Sequence, residues 1–232
     1  MLKDKQKILD NINIVLAEPK IPENIGLTAR VLKNTSFSTF SLVNPCLSQK
    51  VSEVARRAKD ILEGARVYGS LKEALASSQF VFGASRRKHK DIYIHNFNDI
   101  KYSIVSLAKA GRISIIFGQE SFGLRNRETE ECGGIFYIPA SPEFSSYNLS
   151  QAVGIVCYEI ATIIDKLYAA STFKPALRSE YETFFDYLRD YLSLRVKKDR
   201  VETSLKSLKR LFLRTYLTKN EISLLKNLFK GS

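Results

Sequence analysis

Apolar residues fall along the chain in short dense blocks and in longer stretches of helical spacing. Ile12-Asn13-Ile14-Val15-Leu16-Ala17 reads as a first strand. Phe40-Ser41-Leu42-Val43, Arg66-Val67-Tyr68, Phe80-Val81-Phe82-Gly83, Ile113-Ser114-Ile115-Ile116-Phe117 and Ile135-Phe136-Tyr137-Ile138 follow as further strands. Between them, Pro22 and Asn24 open a helix that carries Ile25, Leu27, Ala29, Val31 and Leu32. Residues 51–62 read as a mixed helical region, residues 71–75 as a short helix and residues 148–168 as a long one. Strands alternating with helices predict an α/β domain around a mostly parallel sheet.

Two of these strands end abruptly. The block at 113–117 stops at Gly118-Gln119-Glu120-Ser121-Phe122-Gly123-Leu124. The block at 135–138 stops at Pro139, and a polar loop leads to Ser145-Ser146-Tyr147-Asn148-Leu149-Ser150, the start of the long helix. Such strand ends form ligand crevices at the carboxyl edge of a parallel sheet. In the first helix, long side chains lean toward the helix N-terminus, so Arg30 is expected over the turn that holds Gly26, beside Asn24 and the free amides. The 148–168 helix is apolar on most faces, and Ser150, Gly154, Cys157 and Ala161 form a stripe of small residues. A helix apolar all round is buried on more than one side. The expected neighbours are the sheet and, along the small stripe, a partner subunit.

Residues 170–175 read as a domain boundary. Beyond it Tyr181, Phe184, Phe185, Leu188, Tyr191 and Leu192 repeat as an amphipathic helix. Leu205, Leu208, Leu211 and Phe212 suggest a second helix, and Ile222, Leu225 and Phe229 a third. Residues 171–232 hold 14 Lys or Arg against 7 Asp or Glu, so this quarter carries +7 of the chain's net +12. That balance favours a polyanionic partner. The three cysteines, Cys46, Cys132 and Cys157, are unclustered and read as small, partly buried hydrophobes. No CxxC, His-rich metal spacing, GxGxxG, P-loop or HExxH occurs, so no metal is expected. Ser146 lacks the nucleophile elbow of a serine hydrolase. The N-terminus has no apolar segment of signal-peptide type, and the longest apolar run is too short to span a bilayer, which predicts a cytoplasmic protein. His89 and His95 read as isolated surface-loop residues.

Three stretches add a resemblance: Pro22-Glu23-Asn24-Ile25-Gly26-Leu27-Thr28-Ala29-Arg30, Phe117-Gly118-Gln119-Glu120-Ser121-Phe122-Gly123-Leu124, and residues 138–153, which include Ser145-Ser146-Tyr147-Asn148. In this order and spacing they resemble the three motifs of the SpoU/TrmH branch of the SPOUT RNA methyltransferases, and within it the TrmJ-type tRNA 2′-O-ribose methyltransferases. The resemblance covers about residues 10 to 168. Two positions depart from the pattern: Tyr147 stands where Leu is usual, and Glu23 where Gly is common.

The resemblance implies a SPOUT α/β-knot domain over residues 1–169, with a trefoil knot formed from residue 113 to about 160, and a basic helical extension over 170–232. It implies S-adenosylmethionine as cofactor, held by Ala84, Ser85, Arg86, Gly118, Gln119, Ile138, Ser145, Ser146, Tyr147 and Asn148. Asn24, Arg30, Glu120, Ser146 and Asn148 would form the catalytic set. RNA contacts are expected at Arg86, Arg87, Lys88 and Lys90, and in the extension at Lys197, Lys198 and Arg200. The extension reads equally as a brace for a dimer. The implied protein is a homodimer that methylates a ribose 2′-oxygen of tRNA at nucleotide 32, with no membrane or DNA partner. The same reaction on ribosomal RNA or another tRNA position, and a catalytically silent RNA-binding protein, are the alternatives.

Overall fold

The computed structural model describes residues 2–87, 93–168, 176–213 and 217–230. It divides into two compact units, Met1–Ala169 and Ala170–Ser232. In the first, α1 (Leu2–Asp10), β1 (Ile12–Ala17), α2 (Pro22–Asn34), β2 (Phe40–Val43), α3 (Gln49–Ala55), α4 (Lys59–Glu63), β3 (Arg66–Tyr68) and α5 (Leu71–Leu75) come first. Then follow β4 (Phe80–Ala84), β5 (Ile94–Asn96), α6 (Phe97–Ala110), β6 (Ile113–Phe117), α7 (Asn126–Thr129), β7 (Gly134–Tyr137) and α8 (Leu149–Tyr168).

The seven strands form one sheet in the order β3-β2-β1-β6-β4-β7-β5, with every pair parallel. Central β1 and β6 are buried along their whole length, which is why both read as apolar blocks, each holding one polar residue. Alternate residues serve opposite faces. Ile12, Ile14, Leu16, Ile113, Ile115 and Phe117 join the main core with α1, α2, α6 and α8. Val15, Ala17 and Ile116 pack on the other face with Ala74 and Leu75 of α5. The polar residues inside the sheet satisfy one another: Asn13 Nδ2 donates to Ser114 Oγ at 3.1 Å, and Ser41 Oγ donates to Asn13 Oδ1 at 2.9 Å. Such pairing removes most of the cost of burying them.

The chain winds outward from β1 to β3, then crosses back over β1 to lay down β4, and β6 later fills the gap between them. Reversals of this kind open a crevice at the carboxyl ends of the strands.

Several expectations need correction. His95 is not a surface-loop residue: it lies in β5 opposite Phe136, half-buried, with its ring edge-on to Tyr93 at 4.6 Å. His89 lies outside the described residues. The small-residue stripe of α8 packs within its own chain. Ser150 and Cys157 are buried, and a Cβ at Gly154 would sit 3.6 Å from Val31 of α2. The solvent face of α8 is instead Gln151, Tyr158 and Asp165. Nor does Gly26 make room for Arg30. Its bare face is filled by α3, so that a Cβ there would meet the Val51 carbonyl oxygen at 2.5 Å.

In the second unit, α9 (Arg178–Ser193), α10 (Val201–Leu213) and α11 (Lys219–Lys230) surround Tyr181, Phe184, Phe185, Leu188, Leu192, Leu205 and Ile222. The Tyr181 hydroxyl accepts from the Leu217 amide at 2.6 Å, which ties the start of α11 to α9. Lys197, Lys198 and Arg200 are exposed at the turn between α9 and α10.

Candidate active site

A cavity of about 490 Å³ opens at the carboxyl ends of β4, β6 and β7. From β4 come Ala84, Ser85, Arg86 and Arg87, and from β6 Phe117 with residues 118–123. Phe136, Tyr137 and Ile138 come from β7, and Ser145, Ser146, Tyr147, Leu149 and Ala152 from the entry to α8.

Each wall has a local cause. After β6 the backbone doubles back at once: the Gly123 amide donates to the Gln119 carbonyl at 2.8 Å, and Gly123 adopts φ 64°, a left-handed conformation suited to glycine. A Cβ at Gly118 would come within 2.2 Å of the Gly123 carbonyl group, so only glycine permits this turn. The Ser85 amide donates to the Phe136 carbonyl at 2.8 Å, carrying the β4–β7 ladder to the cavity floor. Arg86 Nη1 donates to the Ser145 carbonyl at 3.1 Å, and the Tyr147 hydroxyl donates to the Pro139 carbonyl at 2.9 Å. Tyr147 therefore gains a loop-closing bond that the usual Leu lacks.

Beneath the cavity runs a directed hydrogen-bond relay. Asn148 Oδ1 accepts from the Ser150 amide at 2.9 Å and from Ser150 Oγ at 2.7 Å. Its Nδ2 is thereby free to donate to Asn24 Oδ1 at 2.9 Å. Asn24 Nδ2 then donates to Glu120 Oε1 at 2.9 Å. A backbone N–H at one end and a carboxylate at the other fix the orientation of both amides. Glu120 also accepts from the amides of Lys20 and Ile21 at 2.9 and 3.2 Å. Burial alone would push the Glu120 carboxyl up. The donors from Asn24, Lys20 and Ile21 outweigh it and hold the group below the usual carboxylate value. The relay joins the loop after β1, the loop after β6 and the start of α8.

The structure thus brings Ala84, Ser85, Arg86, Gly118, Gln119, Glu120, Ile138, Ser145, Ser146 and Tyr147 around one cavity, with Asn148 joined to Glu120 through Asn24. Arg30 is not among them. It is exposed, six residues along α2 from Asn24 (about 9 Å of helix rise), beside a second cavity lined by Lys33, Asn34 and residues 55–58. Arg87 is on the first cavity's lining, while Lys88 and Lys90 lie outside the described residues. The wall residues that sequence reasoning missed include Phe122, Leu149 and Ala152. Phe122 had a signal: a large apolar residue in a polar loop, here 59% exposed.

A parallel sheet with a ligand cavity at its carboxyl edge, closed by a glycine-bearing turn and a helix entry, defines an α/β ligand-binding enzyme fold. Residues 11–158 match the model of the SpoU rRNA Methylase family. The chain belongs to this family and is an RNA methyltransferase. It is 33% identical over 97% of its length to an "Uncharacterized tRNA/rRNA methyltransferase" of Haemophilus influenzae, of which 95% is covered. It is 34% identical, over 76% of its length and 68% of the relative, to the tRNA (cytidine/uridine/adenosine-2′-O-)-methyltransferase TrmJ of Pseudomonas aeruginosa. Among solved structures, TrmJ from Z. mobilis superposes with a TM-score of 0.63 at 27% identity, covering 94% of this chain and 97% of that one.

Proposed function

We propose that this enzyme transfers a methyl group from S-adenosylmethionine to a ribose 2′-oxygen of tRNA, at cytidine or uridine 32 of the anticodon loop. The observation that carries the reading is the cavity itself, with the Glu120–Asn24–Asn148 relay beneath it. Its volume lies in the range of about 300–1,000 Å³ typical of sites for such ligands. Phe122, Ile138 and Leu149 offer apolar surface to a flat base, and the Glu120 carboxylate favours a cationic ligand. When bound, S-adenosylmethionine supplies an electrophilic methyl on a sulfonium that departs as a neutral thioether.

The chain's own residues bind and orient. The main chain at Gly118, Gln119, Ile138 and residues 145–148 holds the cofactor, in the segment assigned to the trefoil knot, and Ala84, Ser85 and Arg86 border it. Ser146 stands beside the reacting hydroxyl. Glu120, Asn24 and Asn148 keep the loops in register. Arg30 anchors the target phosphate and stabilises the developing alkoxide; a guanidinium with a pKa above about 12 is no general base. The proton passes to water or a phosphate oxygen. Because Arg30 lies away from its own chain's cavity, a second copy supplies it, and the working enzyme is a homodimer. Arg86 to Lys90 and the cluster Lys197, Lys198 and Arg200 contact the RNA.

The test is methyl transfer to unmodified tRNA followed by mapping of ribose methylation. Methylation at nucleotide 32 is expected. Methylation elsewhere in tRNA, or only in ribosomal RNA, would refute the assigned target, and binding of RNA without transfer would refute the activity.

A further inference from the structure

The second cavity, of about 380 Å³, lies between the C-terminal half of α2 and the turn that joins α3 to α4. Its walls are rigid. Ala29, Ala55 and Ala58 are buried against one another, and α3 meets α2 so closely at Gly26 that no side chain fits between them. Its rim carries Arg30, Arg56 and Arg57, all exposed. Arg56 adopts φ 50° and ψ −111°, a conformation that L side chains rarely hold.

Two of the nearby carboxylates are held by lysines. Lys33 Nζ binds Asp60 Oδ1 and the Arg57 carbonyl, each at 2.7 Å, and Lys50 binds Glu23 at 2.9 Å. Among the described residues, no carboxylate pairs with Arg30, Arg56 or Arg57. Three guanidinium groups with no carboxylate bonded to them around a concavity form a receptor for phosphate oxygens, whose geometry matches the guanidinium fork.

We propose that Arg56 and Arg57 form an RNA-phosphate site beside Arg30, gripping the backbone next to the phosphate that Arg30 anchors. The proposal rests on the reading that RNA is the substrate. The strained turn at Arg56 is the device that aims its side chain.

The test uses the full chain and unmodified tRNA. Arg56→Gly, Arg57→Gln and the double variant are compared with wild type across a KCl series. Each lost contact should weaken tRNA binding roughly tenfold, as expected for charge-assisted hydrogen bonds. The log–log salt slope should flatten by roughly 0.7–0.9 per contact. S-adenosylmethionine affinity should not change. Arg56→Gly should melt at the wild-type temperature or above, because glycine accepts that backbone, so its binding loss cannot be misfolding.

Wild-type affinity and slope in the double variant, with methylation intact, would overturn this site and leave the functional reading standing. A wild-type enzyme that neither binds nor methylates tRNA would overturn both. A third arm titrates inorganic phosphate alone: heat that vanishes in the double variant, with no change in tRNA slope, would assign the cavity to a small free anion and refute the RNA contact.

Discussion

Glu120 shows how one carboxylate can hold the loops of a site together. It accepts from two backbone amides and from Asn24, and its carboxyl titrates below the usual value. A depressed folded-state pKa stabilises the protein above the unfolded value, about 4.3 for Glu, and that contribution fades as the pH falls through the folded value. Glu120→Gln should therefore cost about 1–2 kcal/mol at neutral pH, the lower end for charge-assisted bonds because the group is partly solvated. The gap to wild type in urea unfolding should close as the pH falls below the unfolded value and through the lower folded one. A gap that stays constant down to strongly acidic pH would show that the charge does not matter. The cysteines make a second residue-scale case. Burial, with Glu131 and Glu128 adding to it, pushes the Cys132 thiol up to about 12. Burial also pushes up fully buried Cys157, whereas Cys46 is exposed. Iodoacetamide at mildly alkaline pH should label only Cys46 in the native protein and all three cysteines after unfolding, as read by mass spectrometry. Native labelling of Cys132 would contradict its placement.

At the scale of elements, the two glycines of the α2 contacts should respond in opposite ways. Gly26→Ala drives a Cβ into the Val51 carbonyl at 2.5 Å, where backbone must move, and should destabilise by about 2–3 kcal/mol. Gly154→Ala meets Val31 at an ordinary 3.6 Å within a long helix, and should stabilise by about 0.5–1 kcal/mol. Denaturant unfolding of both variants checks the pair; a stabilising Gly26→Ala would mean that α3 does not rest on α2 there. Neither outcome was legible in the chain, because a glycine shows that space is needed without saying which neighbour fills it. Arg30 was misplaced for the same reason. By contrast, β1, β2 and β6 were legible because both their faces are buried and the sequence records this as short apolar blocks with a single polar residue each. Helix α6 was missed although Phe97, Ile104, Val105 and Ala108 keep a helical period, because its start is joined directly to the three-residue strand β5. Helix α1 hides in a lysine-rich segment whose buried residues are Ile8 and Leu9.

At the scale of the whole molecule, the two units differ in character. The first carries the cavity and the second an excess of positive charge over a core of its own. Reversing the charge of Lys197, Lys198 and Arg200 touches no buried residue and should weaken tRNA binding. Its salt slope should fall by roughly 0.7–0.9 for each phosphate contact removed. An unchanged slope would make the extension a brace and not a grip. The cavity's location could be anticipated from sequence because two of its three strand ends, after Phe117 and Ile138, pass abruptly into a glycine-bearing loop and a proline. The relay beneath it could not, since Asn24, Glu120 and Asn148 lie far apart in the chain and meet only through the crossing order of the strands.

The central claim is that the cavity at the ends of β4, β6 and β7 is the methyl-donor site, separate from the Arg30 surface. Calorimetric titration of S-adenosylmethionine in EDTA tests it most directly, using wild type, Arg30→Ala and Gly118→Ala, with melting curves to establish folding. One site per chain is expected in the wild type, with near-wild-type affinity in Arg30→Ala and loss of binding in a folded Gly118→Ala, whose Cβ would strike the Gly123 carbonyl. Binding that needs added metal, that disappears with Arg30, or that survives in Gly118→Ala would contradict the account.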